Sequence, residues 1–181
     1  MSQTQRTSIR RSKRGQSGQA FLEFTLVALM LILLLFGLIE FGRYLYEREV
    51  LINVSREGSN LVSRGTDLSN TVAAILTSAN PLNLNDPGSG VIVTAVTNYG
   101  TGFHISEQLA GGGVTTAASQ IGNGVGNPAT LPNNVTNLPP ANQTLYVTEV
   151  FATYQTVTPI GKLLNLTLPP TNYDAAYFVG L

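Results

Sequence analysis

Few side chains in this chain could support catalysis or hold a metal. The 181 residues contain no cysteine, which excludes thiolate nucleophiles and cysteine-ligated zinc, and they contain one histidine, His104. A single histidine forms no metal-binding pair, and no Gly-x-Ser-x-Gly elbow accompanies it, so we interpret it as a satisfied strand or loop residue. The acids beyond residue 65 lack the spacing of a carboxylate pair or a calcium loop. The sequence therefore predicts no enzyme, no cofactor and no metal site.

Charge is distributed unevenly along the chain. Ten Lys plus Arg and ten Asp plus Glu give a formal net charge of zero. The first fourteen residues carry only basic charges, whereas after residue 65 a single base, Lys162, stands among acids. Considered by itself, the amino-terminal basic cluster would fit an arm that binds nucleic acid. Because an apolar run follows that cluster, we expect no nucleic-acid partner.

The apolar run has the length of a membrane span. Residues 24–39 carry no charge, and the 22 residues from Ala20 to Phe41 form about 33 Å of helix, enough for a bilayer core of ~30 Å. A buried soluble helix is a poor alternative, because the rest of the chain is too short to wrap it. A cleaved signal peptide would have a shorter apolar core and a small-residue cleavage site. We predict a transmembrane helix over residues 19–41, with the basic flank in the cytoplasm.

One carboxylate, Glu23, lies inside this apolar run. An ionised acid at the centre of a bilayer costs ~2.5–3.5 kcal/mol on insertion scales, and less near the edge. Glu23 could reach the cytoplasmic edge, but its side chain is short and has apolar neighbours. No basic residue stands between Arg14 and Arg43. A charged partner would therefore come from another subunit or from a new amino terminus.

Three short motifs around the span resemble those of a known family. The first resembles the class IV prepilin processing site: Gly18-Gln19-Ala20-Phe21-Leu22-Glu23-Phe24. The other two resemble the blocks that flank the helix exit in TadE-like proteins, the minor pseudopilins of tight-adherence (Flp) pilus systems: Ile39-Glu40-Phe41-Gly42-Arg43 and Ser55-Arg56-Glu57-Gly58-Ser59. The resemblance covers roughly residues 15–65.

The resemblance implies processing followed by assembly. In the family, a prepilin peptidase cuts after the glycine, here Gly18, which leaves Gln19 as the new amino terminus. A cut after Gly15 would make the acid the eighth residue instead of the fifth, so we prefer Gly18. The Glu23 carboxylate would then meet the terminal amine of a neighbouring subunit, with Phe24 beside it. The partners implied are the bilayer, the prepilin peptidase, other pilins or pseudopilins, and assembly-platform proteins of the inner membrane.

The helix is expected to continue beyond the membrane, over residues 42–65. Glu40, Arg43 and Glu47 are spaced for i,i+3 and i,i+4 ion pairs that favour helix. An approximate apolar stripe is formed by Phe41, Tyr44, Leu45, Ile52, Ser55 and Val62. We predict the end of this helix near Arg64-Gly65, and a second helix from an Asp67 cap to about Ala79.

The remaining chain, residues 66–181, is expected to form an extracytoplasmic α+β head of pilin-like layout. Val, Thr, Tyr and Phe predict strands over Val91–Thr97, Leu145–Val157 and Tyr173–Val179, and Leu164–Leu168 alternates like a strand. A Gly/Asn/Pro-rich stretch at about 108–143 is predicted to be a long loop. A surface or subunit contact is one interpretation of that loop; a tolerated insertion that buries little area is the one we prefer.

The leading hypothesis is a minor pilin or pseudopilin, a single-pass protein of the bacterial inner membrane with a cytoplasmic leader at residues 1–18. It would act by subunit association in pilus assembly or priming. The alternative is a signal-anchored extracytoplasmic binding or adhesin module that never enters a filament. A membrane-tethered enzyme is a weaker third hypothesis, because no catalytic constellation supports it.

Overall fold

The computed structural model describes residues 14–132, 135, 138–164 and 169–180. It contains the long helix α1 (Arg14–Ser63), the helix α2 (Leu68–Ser78), strands β1 (Gly90–Asn98) and β2 (Phe103–Gly112), strand β3 (Thr144–Thr153), the short helix α3 (Gly161–Leu164) and strand β4 (Thr171–Val179). The four strands form one antiparallel sheet in the order β2-β1-β3-β4. The predicted α+β architecture, a long helix followed by a small antiparallel sheet, is confirmed.

Local signals account for both ends of the connection between α1 and α2. The backbone after α1 turns at Gly65, which has φ 96° and donates its N–H to Val62 O at 2.9 Å. Asp67 then caps α2, because its Oδ1 accepts from Asn70 N at 2.7 Å. This backbone hydrogen bond is the main reason that the pKa of Asp67 is lowered. The predicted helix end and the predicted cap are both confirmed.

The inner face of the sheet packs against α1 and α2. Val91 and Val93 of β1 and Val150 of β3 lie fully buried in one apolar cluster with Leu51 of α1 and Ile75 of α2. Alternate residues of each strand face this cluster, as the two-residue period of a strand requires. Burial of this apolar area is the main term that holds the second half of α1 to the head.

The outer face of the sheet is covered by the described residues of the stretch 113–143, so the expectation that this stretch buries little area is wrong. Ile121 is fully buried against Val96, Leu145 and Val147, and Leu131 packs on the same cluster. A sheet with apolar side chains on both faces needs two covering layers. The helices supply one layer and this polar-looking segment supplies the other, which its composition did not reveal.

Two strand boundaries differ from the prediction. Strand β2 was not foreseen, and it runs through Gly112 where the loop was expected to begin at about 108. Glycine is unusual in strands, but here a Cβ at Gly111 would collide with Val72 of α2, so the close helix selects it. Strand β3 ends at Thr153, four residues early, because the chain there turns toward α1. Leu164 ends α3 instead of beginning a strand, and residues 165–168 lie outside the described part.

Candidate functional site

The first half of α1 projects from the head without packing on it. The side chains from Gly18 to Ile39 are exposed or half-buried, although most of them are large and apolar. An apolar surface of this extent is not stable in water and marks a contact with lipid or with other apolar helices. Within the described residues, one helix is long and apolar enough to cross a membrane, and it is α1. It fits a single-pass membrane anchor.

The predicted processing residues lie on this free part of the helix. A Cβ at Gly18 would meet no atom within 4 Å, so packing within the chain does not explain this glycine. The Nε2 of Gln19 donates to the Oε1 of Glu23 at 3.0 Å along the helix surface. Phe24 is 70% exposed. The four residues are thus accessible from outside the chain, and their roles in processing and association stay predictions.

The acid of the second motif, Glu40, is the first residue of α1 that the head buries completely. Its carboxylate accepts hydrogen bonds from the hydroxyl of Tyr154 at 2.7 Å, from the backbone N–H groups of Val157 at 3.2 Å and Thr158 at 3.0 Å, and from the Thr158 hydroxyl at 2.7 Å. Both carboxylate oxygens are therefore used, and their donors come from a segment more than a hundred residues later. Buried charge without an opposite charge is tolerated only with this degree of hydrogen bonding.

Two aromatic residues, Tyr44 and Tyr154, and one glycine, Gly161, pack around Glu40. The rings of Tyr44 and Tyr154 meet edge to face, with centroids 5.3 Å apart, and the Tyr154 hydroxyl also donates to Glu40 O at 3.1 Å. Burial, together with the hydrogen bond and the charge of Glu40, raises the pKa of Tyr154. A Cβ at Gly161 would collide with Thr156 Cβ and would lie 3.0 Å from Glu40 Oε1, so the close approach of Thr156 selects glycine beside the carboxylate.

The rest of the second motif corrects two expectations. Arg43 pairs with Glu47, at 2.8 Å between Nε and Oε1, and Glu40 is not its partner because the head already binds that carboxylate. Phe41 and Gly42 are exposed, as is Leu45, so the predicted apolar stripe is partly wrong. The face of α1 toward the head is partly polar: it carries Glu40, Tyr44, Glu47, Ser55 and Ser59 beside its apolar residues. A search for apolar periodicity misses such a face.

The third motif contains the residues that let α1 approach the sheet. The Ser55 hydroxyl donates to the Asp174 carboxylate of β4, and the Ser59 hydroxyl donates to Ala176 O at 2.7 Å. A Cβ at Gly58 would lie 2.7 Å from Thr148 Cγ2 and would collide with a side chain of α2. Small residues at i, i+3 and i+4 were the signal for this contact. Arg56 and Glu57 are exposed, and the head does not bury them.

Sequence reasoning missed another fully buried carboxylate, Glu149, on the outer face of the sheet. It accepts hydrogen bonds from the Ser119 hydroxyl, from Gln120 N at 2.7 Å and from the Tyr173 hydroxyl at 3.0 Å. Burial raises the pKa of Glu149 more than these hydrogen bonds lower it. Glu149 therefore anchors the covering segment to β3, and its position in a strand gave no sign of this role.

His104 has an ordinary structural environment. It lies in β2, with Nδ1 at 3.3 Å from Gly126 O and its ring 5.8 Å from that of Tyr99. Within the described residues no group of three His, Cys, Asp or Glu side chains could hold a metal ion.

These features define a class of protein: a single apolar helix that fits a membrane anchor and continues into an α+β head. The comparison with protein families then narrows the class. Residues 18–60 match the family model of TadE-like protein. The predicted resemblance is confirmed over these residues, which include all three motifs and end within the last turn of α1. No curated protein and no solved structure matches the chain.

Proposed function

We propose that this chain is a minor pilin or pseudopilin of a tight-adherence (Flp) type IV pilus. The observation that carries the proposal is the coincidence of the family match with α1. The matched part includes both the accessible apolar half of the helix and the half that holds the head. The protein would act by association: the apolar half packs in the bilayer against spans of other pilins, and the head provides an extracytoplasmic surface.

Processing after Gly18 is the first step of this proposal. A prepilin peptidase would bind the exposed start of α1 and cut between Gly18 and Gln19. Because Gly18 has no contacts that a head or a second helix would lose, cleavage there leaves the described packing of the chain intact. The product would lose all five leader bases and become net acidic.

Assembly through Glu23 is the second step. In the uncleaved chain Glu23 binds only the neighbouring amide of Gln19 among the described residues. After cleavage, the amine at residue 19 of an adjacent subunit could pair with the carboxylate within the bilayer. Such a pair replaces the cost of an isolated acid in lipid and sets the axial register between two spans.

Intact-mass measurement of the protein from its native host tests the processing step. We expect a mass that lacks residues 1–18, with Gln19 at the front, some of it cyclised. The Gly18→Leu variant should remain at precursor mass in the membrane and fail to support pilus assembly. A full-length wild-type chain in cells with an active prepilin peptidase would contradict the proposal and favour an anchored adhesin module.

Replacement of Glu23 tests the assembly step separately. Glu23→Leu should insert normally, because it makes the span more apolar, and should be processed, but it should not support assembly. Glu49→Leu is the matched control, since Glu49 is an exposed acid of the same helix outside the apolar half. Normal pili in Glu23→Leu cells would refute the pairing role and leave the processing step standing.

A further inference from the structure

Residues Tyr154–Lys162, the membrane-proximal segment, are tied to α1 at one level of the helix. The N–H groups of Val157 and Thr158 bind the Glu40 carboxylate, and Thr158 O accepts from Gly161 N at 3.0 Å to start α3. The position of the segment along α1 is therefore fixed by hydrogen bonds to a single residue.

The level of Glu40 corresponds to the outer boundary of the hydrocarbon core. From Ala20, where the apolar run begins, to Glu40 is 20 residues, about 30 Å of helix, which is the thickness of a bilayer core. A carboxylate at this depth is costly unless protein groups shield it and bind it. The membrane-proximal segment supplies that shield, so it must lie at the same depth as Glu40.

The outer surface of the segment has the composition of a membrane interface. Val157 is 55% exposed, Ile160 is partly exposed, and Lys162 is exposed beside them. Lys162 is also the only base after Arg64 in the sequence, so the only positive side chain of the acidic head stands at this level. Apolar groups with an adjacent ammonium match the acyl boundary and the phosphate layer of a lipid leaflet.

We propose that the membrane-proximal segment docks on the outer leaflet of the bilayer. Val157 contacts the boundary between acyl chains and headgroups, and Lys162 binds anionic lipid phosphate. The head is then held at the membrane by two contacts, the span of α1 and this segment, and does not rotate freely on one helix. This inference rests on the proposed membrane span of α1.

The absence of cysteine allows a direct test with single-cysteine variants of the full-length chain. We would attach an environment-sensitive fluorophore at Val157→Cys and reconstitute the protein in vesicles of phosphatidylethanolamine and phosphatidylglycerol. Val125→Cys is the matched control, because Val125 is 66% exposed but lies beside the β1–β2 end of the head, away from Glu40. Leu31→Cys reports on the span itself. Lipids with nitroxides near the headgroup or deep in the acyl chain serve as quenchers.

We expect the Val157→Cys label to be blue-shifted and to lose more than half of its fluorescence with the shallow quencher, at low as well as high protein density. The Val125→Cys label should respond to neither quencher. If the Val157→Cys label is as exposed to water as the Val125→Cys label, while the Leu31→Cys label lies deep in the bilayer, the docking of the segment is refuted and the membrane span of α1 stands. A water-exposed Leu31→Cys label would overturn the membrane span. Protection of Val157→Cys only at high protein density would assign the surface to a second copy and also overturn the lipid contact.

Discussion

Replacement of Glu40 by leucine removes the acceptor on which the membrane-proximal segment depends. The variant keeps the size and the helical preference of the residue but leaves the N–H groups of Val157 and Thr158 without their partner. The Tyr154 hydroxyl keeps the backbone oxygen of residue 40 as an acceptor, at 3.1 Å, and the Thr158 hydroxyl, which loses the carboxylate, can rotate toward water, so the two amides dominate the cost. Each unsatisfied buried amide costs ~1–3 kcal/mol. Because the segment can move toward water, we expect a loss of about 2–4 kcal/mol in the free energy of unfolding of the head.

Unfolding of the head can be followed by the signal of its tyrosines, since all seven tyrosines of the sequence lie from Tyr44 to Tyr177. Urea unfolding of full-length protein in detergent, read by near-UV circular dichroism, reports the free energy directly. Hydrogen exchange should also become faster at residues 154–162 and stay unchanged in β1. Glu49→Leu is the control, because an exposed substitution on the same helix shifts stability by only ~0.5 kcal/mol. Equal stability and equal exchange in the two variants would refute the role assigned to Glu40.

Two further predictions concern the packing of α1 and the outer face of the sheet. Gly58→Ala should destabilise the head by about 1–3 kcal/mol, because the added methyl group collides with Ile75. The control is Gly42→Ala, where a Cβ meets nothing within 4 Å, and it should be neutral or stabilising by up to ~1 kcal/mol. Equal effects of the two variants in urea unfolding would contradict the close approach of α1 to the sheet. Glu149→Gln tests the raised pKa of Glu149. Because the folded protein binds the Glu149 proton more tightly than the unfolded chain does, the wild-type protein loses stability as pH rises from the ordinary glutamate pKa of 4.5 through the raised pKa of the folded state. Wild type should therefore lose stability relative to Glu149→Gln over that window in thermal melts, and a pH-independent difference between the two would count against it.

The parts of this fold that the sequence predicted are those specified by neighbouring residues. The apolar run, the Asp67 cap and the Gly65 turn each depend on a few adjacent positions, and each was located correctly. The strands followed from composition, except β2, whose terminal glycines are explained by distant neighbours: α2 lies against Gly111, and the backbone of Leu84 lies against Gly112. Local pattern carries no information about which distant element will lie nearby.

The contacts of the candidate site also join residues that are far apart in the sequence. Glu40 and Thr158 are 118 positions apart, and Ser55 and Asp174 are 119 apart. The motifs indicated that Glu40 and Gly58 are important. They did not indicate that Glu40 accepts hydrogen bonds from the turn after β3, or that Gly58 lets α1 approach the sheet closely. The covering role of the stretch after β2 was hidden for a similar reason, because a few residues such as Ile121 and Leu131 do the packing within a polar sequence.

The long separation between these partners has a consequence for biogenesis. The second half of α1 is made early, but the polar groups that bind it belong to β4 and to the turn after β3, more than a hundred residues later in the sequence. At ~5–20 residues per second, ribosomes need on the order of 5–20 s to add the roughly one hundred residues between α1 and β4. During that interval Glu40, Ser55 and Gly58 are without the partners that they contact in the folded head. Truncation before β4 would remove the groups that accept the Ser55 and Ser59 hydrogen bonds and would leave β3 without its neighbouring strand.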